Sequence, residues 1–174
     1  MSRANPSRNR NSLPAFLAFA TALLIAHAAE GHASEAPPVF WTSWSGSLVE
    51  PYDVILDDLG NAFVIEEWGH RVDKFTVGGT LLASWGSQGA GPGQFFAPTE
   101  GVIAPNGDFY IVDWRNHRVQ RFTQSGSFVQ AWGALGSLPG DFNYPVGIAS
   151  DTNGLLYVTD SGNDRIEVFT PDGQ

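Results

Sequence analysis

One unit recurs at a spacing of 47 residues, and this repeat limits what the chain can fold into more than any other feature. Three prolines, Pro51, Pro98 and Pro145, mark equivalent points of the three copies. Glycines, aromatic residues and arginines repeat at the same spacing: Gly60, Gly107 and Gly154; Phe63, Tyr110 and Tyr157; Arg71, Arg118 and Arg165; Phe75, Phe122 and Phe169. We therefore expect three structurally equivalent units in series.

The middle copy shows what each unit contains. Its four short apolar runs, at 101–104, 109–112, 118–122 and 128–132, are rich in Val, Ile, Phe and Tyr and are separated by turn sequences such as Asn106-Gly107 and Ser125-Gly126. Such runs predict antiparallel strands in a meander. Four strands in a period of roughly 40–50 residues are typical of a β-propeller blade.

The fold class is accordingly all-β, with about three propeller blades of four antiparallel strands. We predict blade 1 over 51–97, blade 2 over 98–144 and an incomplete blade 3 over 145–174. Residues 39–50 contain an additional outer strand followed by a short loop, because the Phe40-x-x-x-Trp44 spacing matches Phe128-x-x-x-Trp132. The whole reads as part of a six-bladed propeller.

Three blades are fewer than the four to eight that close a ring. One explanation is that the chain is a fragment of a longer propeller. The other is a head-to-tail homodimer, in which the strand around Phe40–Trp44 of each copy completes the third blade of its partner and two chains form six blades. The sequence leaves both open.

The motif at the centre of each copy resembles a known family. Asp113, Asn116, His117, Arg118 and the following Val-Gln-x-Phe, together with the Trp-Gly…Pro-Gly-Gln-Phe…Pro loop, look like the NHL repeat. The third copy keeps Asp160, Asn163 and Arg165. The first departs from the pattern at Glu66 and Gly69. The resemblance implies a propeller of the extracytoplasmic, bacterial type.

The N-terminus has the composition of an export signal. Arg3, Arg8 and Arg10 precede an apolar run over 13–26, and Ala26-His27-Ala28 fits the small-x-small cleavage rule. We predict a signal peptide over 1–28 and a polar leader over 29–38. The run is shorter than the roughly 18 residues of a spanning helix, so no stable membrane span is expected after cleavage, and the location is periplasmic or extracellular.

The charge of the chain excludes one class of partner. Its formal net charge is −9, and removal of the three leader arginines would leave six basic against eighteen acidic residues, or −12. A surface of this sign repels phosphate backbones, so we expect no nucleic-acid binding. The chain contains no cysteine, so its core and hydrogen bonds must stabilise it without disulfides.

Most of the charged repeat positions predict structural roles. Asp113 and Asp160 are expected to accept backbone N–H groups two or three residues further on in their turns. Ion pairs are expected between arginines and the acids that precede them, in the pairs Arg71–Glu66, Arg118–Asp113 and Arg165–Asp160. His70 and His117 are expected to form hydrogen bonds between strands.

Candidate binding residues lie where the copies differ. The turn between the second and third strands carries Glu67 and Trp68 in blade 1 and Trp114 and Arg115 in blade 2. This turn and the long loop emerge on the same face of a meander, and variable loops on a rigid scaffold commonly bind ligands. We predict contacts to a protein, peptide or glycan. The alternative is that each Trp folds back over its own blade.

Two function classes follow. The one we favour is a non-catalytic scaffold with no catalytic or metal residue and no cofactor. The other is part of an enzyme, since some propellers similar to this one are peptidyl-hydroxyglycine amidating lyases that use zinc and calcium, and others are lactonases. Asp53 and Glu100 on the first strands would reach the central channel, but no His lies on any first strand.

Overall fold

The computed structural model of the protein describes Ser43 and residues 48–174, which lie in one compact unit. The predicted signal peptide, the leader and, apart from Ser43, the strand around Phe40–Trp44 lie outside the described residues, and so does the strand exchange expected of a dimer. Within the described part of the chain, no helix has the length and hydropathy needed to cross a membrane.

The described residues form three antiparallel sheets, and in each sheet the strands are hydrogen-bonded in chain order. Blade 1 contains β1 (Pro51–Leu56), β2 (Ala62–Glu66), β3 (Arg71–Phe75) and β4 (Leu81–Trp85). Blade 2 contains β5 (Pro98–Ile103), β6 (Phe109–Asp113), β7 (Arg118–Phe122) and β8 (Phe128–Trp132), and blade 3 contains β9 (Pro145–Ser150), β10 (Leu156–Asp160) and β11 (Arg165–Phe169). The predicted fold class, a partial propeller of four-stranded meanders, is confirmed.

The first strand of each sheet begins earlier than predicted. In the middle copy the apolar run predicted the first strand from residue 101, whereas β5 begins at Pro98, and β1 and β9 likewise begin at Pro51 and Pro145. Proline is compatible with the first residue of a strand, where no ladder bond from its nitrogen is needed. The repeat prolines therefore mark the start of each blade.

Two apolar layers hold the three sheets together. The layer between blades 1 and 2 includes Phe63, Ile65 and Phe109, and the layer between blades 2 and 3 includes Tyr110 and Val158. Strand β6 supplies both layers because its successive side chains point to opposite faces, so all five of its residues are buried. Blade 2 is thus packed on both sides, and first strands β1, β5 and β9 are spatial neighbours.

A fully buried carboxylate closes each meander at the end of its second strand. In blade 2, Asp113 Oδ1 accepts the backbone N–H of Phe96 at 2.7 Å, and its Oδ2 accepts the Asn116 side-chain N–H and Arg118 Nε–H, both at 2.8 Å. Asp160 repeats this arrangement in blade 3 with Asn143, Asn163 and Arg165. The expected partners two or three residues further on were wrong, because the buried side chain reaches the loop that precedes its blade.

The arginine of the motif then fixes that loop. Arg118 Nη1 and Nη2 donate to the carbonyls of Ala90, Gly91 and Gln94 at 2.8 to 3.0 Å. Arg165 makes the equivalent contacts in blade 3 with Ser137, Leu138 and Asp141. The three expected ion pairs are present in the structure, and each joins an arginine to a fully buried carboxylate.

Blade 1 differs from blade 2 in having two acids where blade 2 has an acid and an amide. Glu66 is fully buried and lies beside Asp73, whose equivalent in blade 2 is Gln120. Gln120 donates to Asp113 Oδ2 at 3.1 Å, whereas a carboxylate at that position cannot donate. Burial raises the pKa of Glu66, and the neighbouring carboxylate of Asp73 acts in the same direction.

We predict that Asp73→Asn stabilises the protein at alkaline pH. A carboxyl group whose pKa is raised by folding stabilises the native state below its unfolded pKa of about 4.3, and this contribution is lost as the pH rises through the folded value. Removing the Asp73 charge reduces that loss, so the free energy of unfolding at pH 8 should increase by about 1 kcal/mol. Urea unfolding of the wild type and of Asp73→Asn at pH 5 and pH 8 measures this change in the free energy of unfolding.

The reciprocal control is Gln120→Glu, which builds the same acid pair in blade 2. It should destabilise the protein at pH 8 by about 2 kcal/mol, since the buried Asp113 loses an N–H donor and gains a like charge. Equal free energies of unfolding for Asp73→Asn and the wild type at both pH values would contradict the interpretation of blade 1.

Candidate functional site

The turn between the second and third strands and the loop before the first strand lie on one face of each blade. The turn of blade 2 is a short 3₁₀ segment, Trp114–Asn116, and Arg115 N donates to Phe96 O at 3.1 Å. In blade 3, Gly162 N donates to Asn143 O at 2.7 Å. We call this side of the three blades the loop face.

The histidines of the motif connect neighbouring blades. His70 and His117 both have a left-handed backbone, with φ of 54°. His70 Nδ1 accepts the N–H of Ala97 at 3.1 Å, and His117 Nδ1 accepts the N–H of Tyr144 at 3.0 Å. The sequence predicted hydrogen bonds between strands. In the structure each imidazole instead bonds the residue just before the first strand of the next blade, because the left-handed turn directs it there.

The residues that accept this connection are also left-handed. Ala97 and Tyr144 precede the prolines of β5 and β9 and have φ of 55° and 53°. A bulky residue with positive φ is uncommon, and such strain persists only where surrounding contacts fix it. At Tyr144 the fixed backbone brings the phenol ring to 4.6 Å from the His117 ring and 5.6 Å from the Trp114 ring.

Arg115 lies at the centre of an aromatic cluster. Its guanidinium carbon is 5.1 Å from the ring centroid of Trp68, 5.2 Å from that of Phe96 and 5.0 Å from that of Trp114. These distances are within the range of cation–π attraction. We define the loop-face site as Trp68, Phe96, Trp114, Arg115 and Tyr144.

The loop-face site contains an open depression of about 410 Å³, lined by Phe96, Trp114, Arg115 and Tyr144. Arg115 is exposed, and 43% of Trp68 and 46% of Tyr144 remain accessible to solvent. The blades thus present several aromatic surfaces and one cation to solvent in a confined area.

The structure brings together three of the four predicted binding residues. Trp68, Trp114 and Arg115 converge, whereas Glu67 makes no ion pair with Arg115 among the described residues. Each Trp contacts the following blade, since Trp68 meets Arg115 and Trp114 meets Tyr144. The indoles therefore join neighbouring blades across the loop face, and Trp68 also meets His70 of its own blade, with ring centroids 6.2 Å apart.

Sequence reasoning missed Phe96 and Tyr144. Both immediately precede a blade, two residues and one residue before Pro98 and Pro145. The sequence already predicted that this loop and the Trp-bearing turn share a face. A large aromatic residue next to the repeat proline was the available signal.

The carboxylates of the first strands serve the contacts between blades. Asp53 Oδ2 accepts the N–H of Gly101 at 3.1 Å, and Glu100 Oε2 accepts the N–H of Ile148 at 3.2 Å. Both bonds run from one first strand to the next. Among the residues described by the structure, no group of three or more His, Cys, Asp or Glu side chains is arranged to hold a metal ion.

The NHL-repeat family model matches residues 101–122 and 142–169. These ranges lie in blades 2 and 3, and the predicted resemblance to NHL-repeat propellers is confirmed there. Blade 1 falls outside the matched ranges although its four strands repeat the same meander. Its departures at Glu66 and Gly69 change the motif and leave the backbone path intact.

Solved structures with this fold include lyases and a binding protein. A streptogramin B lyase is 20% identical with a TM-score of 0.59, and the match covers 71% of this chain and 38% of the lyase. Virginiamycin B lyase from Staphylococcus aureus is 17% identical with a TM-score of 0.58, covering 72% and 40%. An auxiliary nutrient binding protein from Bacteroides thetaiotaomicron is 19% identical with a TM-score of 0.54, covering 66% and 36%.

These matches establish the fold and leave the activity open. The chain spans 36% to 40% of the length of the three structures. No curated protein sequence is significantly similar to it.

We predict that the contact between His117 and Tyr144 weakens at acidic pH. Burial lowers the pKa of the His117 imidazole, although the charges of Asp160 and Asp113 act in the opposite direction. A depressed folded pKa stabilises the protein above the unfolded value of about 6.5, and this contribution is lost as the pH falls through the folded value. His117→Asn should cost about 1 kcal/mol at pH 7.5 and less at pH 5.

Asparagine suits this test because it tolerates a left-handed backbone. The measurement is denaturant unfolding of both proteins at the two pH values. A difference in unfolding free energy that stays constant between pH 7.5 and pH 5 would show that His117 does not titrate with folding.

Proposed function

Because the chain carries NHL repeats folded as propeller blades, we propose that it is a non-catalytic binding module that holds a protein, peptide or glycan ligand at the loop-face site. The observation that carries this proposal is the Arg115 guanidinium, surrounded by aromatic rings and left open to solvent. Aromatic and arginine side chains are the residues that most often dominate binding energy at interfaces.

The division of labour within the repeat supports this function. Framework side chains of the motif, such as Asp113, Asn116 and Arg118, are occupied by hydrogen bonds inside the protein. Trp68 and Arg115 occupy the same turn position in blades 1 and 2, where blade 3 has Gly162. A position that differs among copies with the same backbone contributes little to the common fold and is free to serve a ligand.

The rigidity of the site also favours binding. The backbone of the Trp114–Asn116 turn is tied to the loop at Phe96, and Tyr144 is held by His117. Side chains on a fixed backbone lose little conformational entropy when a ligand arrives. A ligand would therefore meet a preformed surface.

Export is part of the proposal. It is supported by the basic residues, the apolar run and the small-x-small site within residues 1–28. A binding module outside the cytoplasm would meet proteins, peptides and glycans of the cell surface or the medium. The activities named for the lyases and for the nutrient binding protein belong to those longer proteins, and the proposal does not depend on them.

We predict that Trp68→Ala and Trp114→Ala each weaken ligand binding at the loop face. The experiment pans a phage-displayed random peptide library and, in parallel, a glycan array against the full chain, and then measures the Kd of selected ligands by calorimetry. Truncating a central aromatic contact should weaken binding by about 2 kcal/mol or more, or about 30-fold.

The matched control is Leu59→Ala, which removes a side chain that is 87% exposed in the turn between β1 and β2. That turn lies at the end of the strands opposite to the Trp-bearing turns. Selected ligands that bind both Trp variants as tightly as the wild type would show that the loop-face site is not where the module binds.

A further inference from the structure

Arg115 differs from every other basic side chain that the structure describes. Arg71, Lys74, Arg118, Arg121 and Arg165 each form at least one ion pair with a carboxylate. In the same part of the chain, Arg115 has no ion-pair partner, and no acceptor bonds to its guanidinium N–H groups. Within the described residues, its guanidinium group contacts aromatic rings, and the rest of the group is open to solvent.

Arg118, three residues further on, differs from Arg115 in how its N–H donors are used. All three guanidinium nitrogens of Arg118 donate hydrogen bonds within the protein, to Asp113 and to three backbone carbonyls. Four of the five N–H donors of Arg118 are thus used within the protein. Arg115 keeps its five N–H donors, which form a planar fork that matches the two oxygens of a carboxylate.

The lining of the depression also restricts the ligand. Phe96 and Trp114 offer apolar surface, Arg115 offers only donors, and the Tyr144 hydroxyl is the one side-chain acceptor among these four residues. A saccharide needs acceptors as well as donors for its many hydroxyl groups. A ligand rich in acceptor oxygens and carrying an apolar body fits this set of groups better.

We propose that the loop-face site binds a peptide segment that presents a carboxylate beside an apolar side chain. The carboxylate pairs with the Arg115 fork, and the apolar side chain packs against Phe96, Trp114 and Tyr144. This inference rests on the proposed binding function and names its ligand class. With a chain net charge of −9, attraction for an acidic ligand has to come from this local site.

The test compares an acid with its amide on the full chain. N-acetyl-L-phenylalanine should bind at least tenfold more tightly than N-acetyl-L-phenylalanine amide, as measured by calorimetry or by the fluorescence of Trp68 and Trp114. N-acetyl-aspartyl-phenylalanine amide, whose carboxylate is on a side chain, shows whether the site takes internal acidic residues or only a C-terminus, and tight binding of either acid supports the proposal.

Arg115 variants separate charge from geometry. Arg115→Gln should remove the preference for the acid over the amide, whereas Arg115→Lys should keep part of it because the charge remains without the bidentate fork. The control Arg121→Gln removes an arginine that pairs with Asp108 and Asp172 away from the loop face, and it should leave the preference unchanged. Thermal melts confirm that each variant is folded.

Two results would overturn the inference. If N-acetyl-L-phenylalanine and N-acetyl-aspartyl-phenylalanine amide both bound no more tightly than N-acetyl-L-phenylalanine amide, a carboxylate site would be excluded. If Trp114→Ala still weakened all three ligands, the broader binding function would stand. Digalacturonic acid binding as tightly as the peptide acids would reassign the site to acidic glycans. Loss of the acid preference in Arg115→Gln with retained binding of the amide would support the pairing proposed here.

Discussion

The rest of the structure depends on a buried carboxylate at the end of each second strand. Asp113 lies where the chain leaves the core, and its oxygens accept hydrogen bonds from Phe96, Asn116, Arg118 and Gln120. An unpaired carboxylate at this depth would be strongly destabilising, so the charge and its donors hold one another in place. The long loop takes its shape from these contacts, because it has no regular secondary structure of its own.

The loop-face site inherits its geometry from that network by two routes. Asp113 fixes the backbone at Phe96, and the Arg115 backbone bonds back to the same residue, so the aromatic ring and the cation are positioned together. His117 fixes Tyr144 from the neighbouring blade. The framework therefore does more than stabilise the blades, since it holds the exposed side chains at fixed separations.

Much of the fold could be predicted from the sequence because a repeat reports the same information three times. The bounds of β7 and β8, the ion pair of Arg118 with Asp113 and the shared face of turn and loop all follow from period and turn chemistry. The direction of His117 and the backbone partner of Asp113 at Phe96 could not be predicted, since both contacts join residues at least 17 positions apart through a left-handed or buried geometry. Spacing alone carries no signal for them. For the same reason, the sequence predicted Trp68, Trp114 and Arg115 of the cluster but not Phe96 and Tyr144, which belong to loops that precede different blades.

Trp68 and Arg115 occupy equivalent positions in successive repeats. This equivalence limits how repeats can be added to such a protein. In the present chain, the Trp68 indole of blade 1 packs against Arg115 of blade 2. If the 47-residue unit that contains Arg115 were duplicated in tandem, the position that Trp68 holds in the preceding blade would be an arginine for the second copy. Two guanidinium groups would then face each other, and the duplicated surface would repel itself instead of repeating the original. Lengthening this array would thus enlarge the scaffold without multiplying its recognition surface.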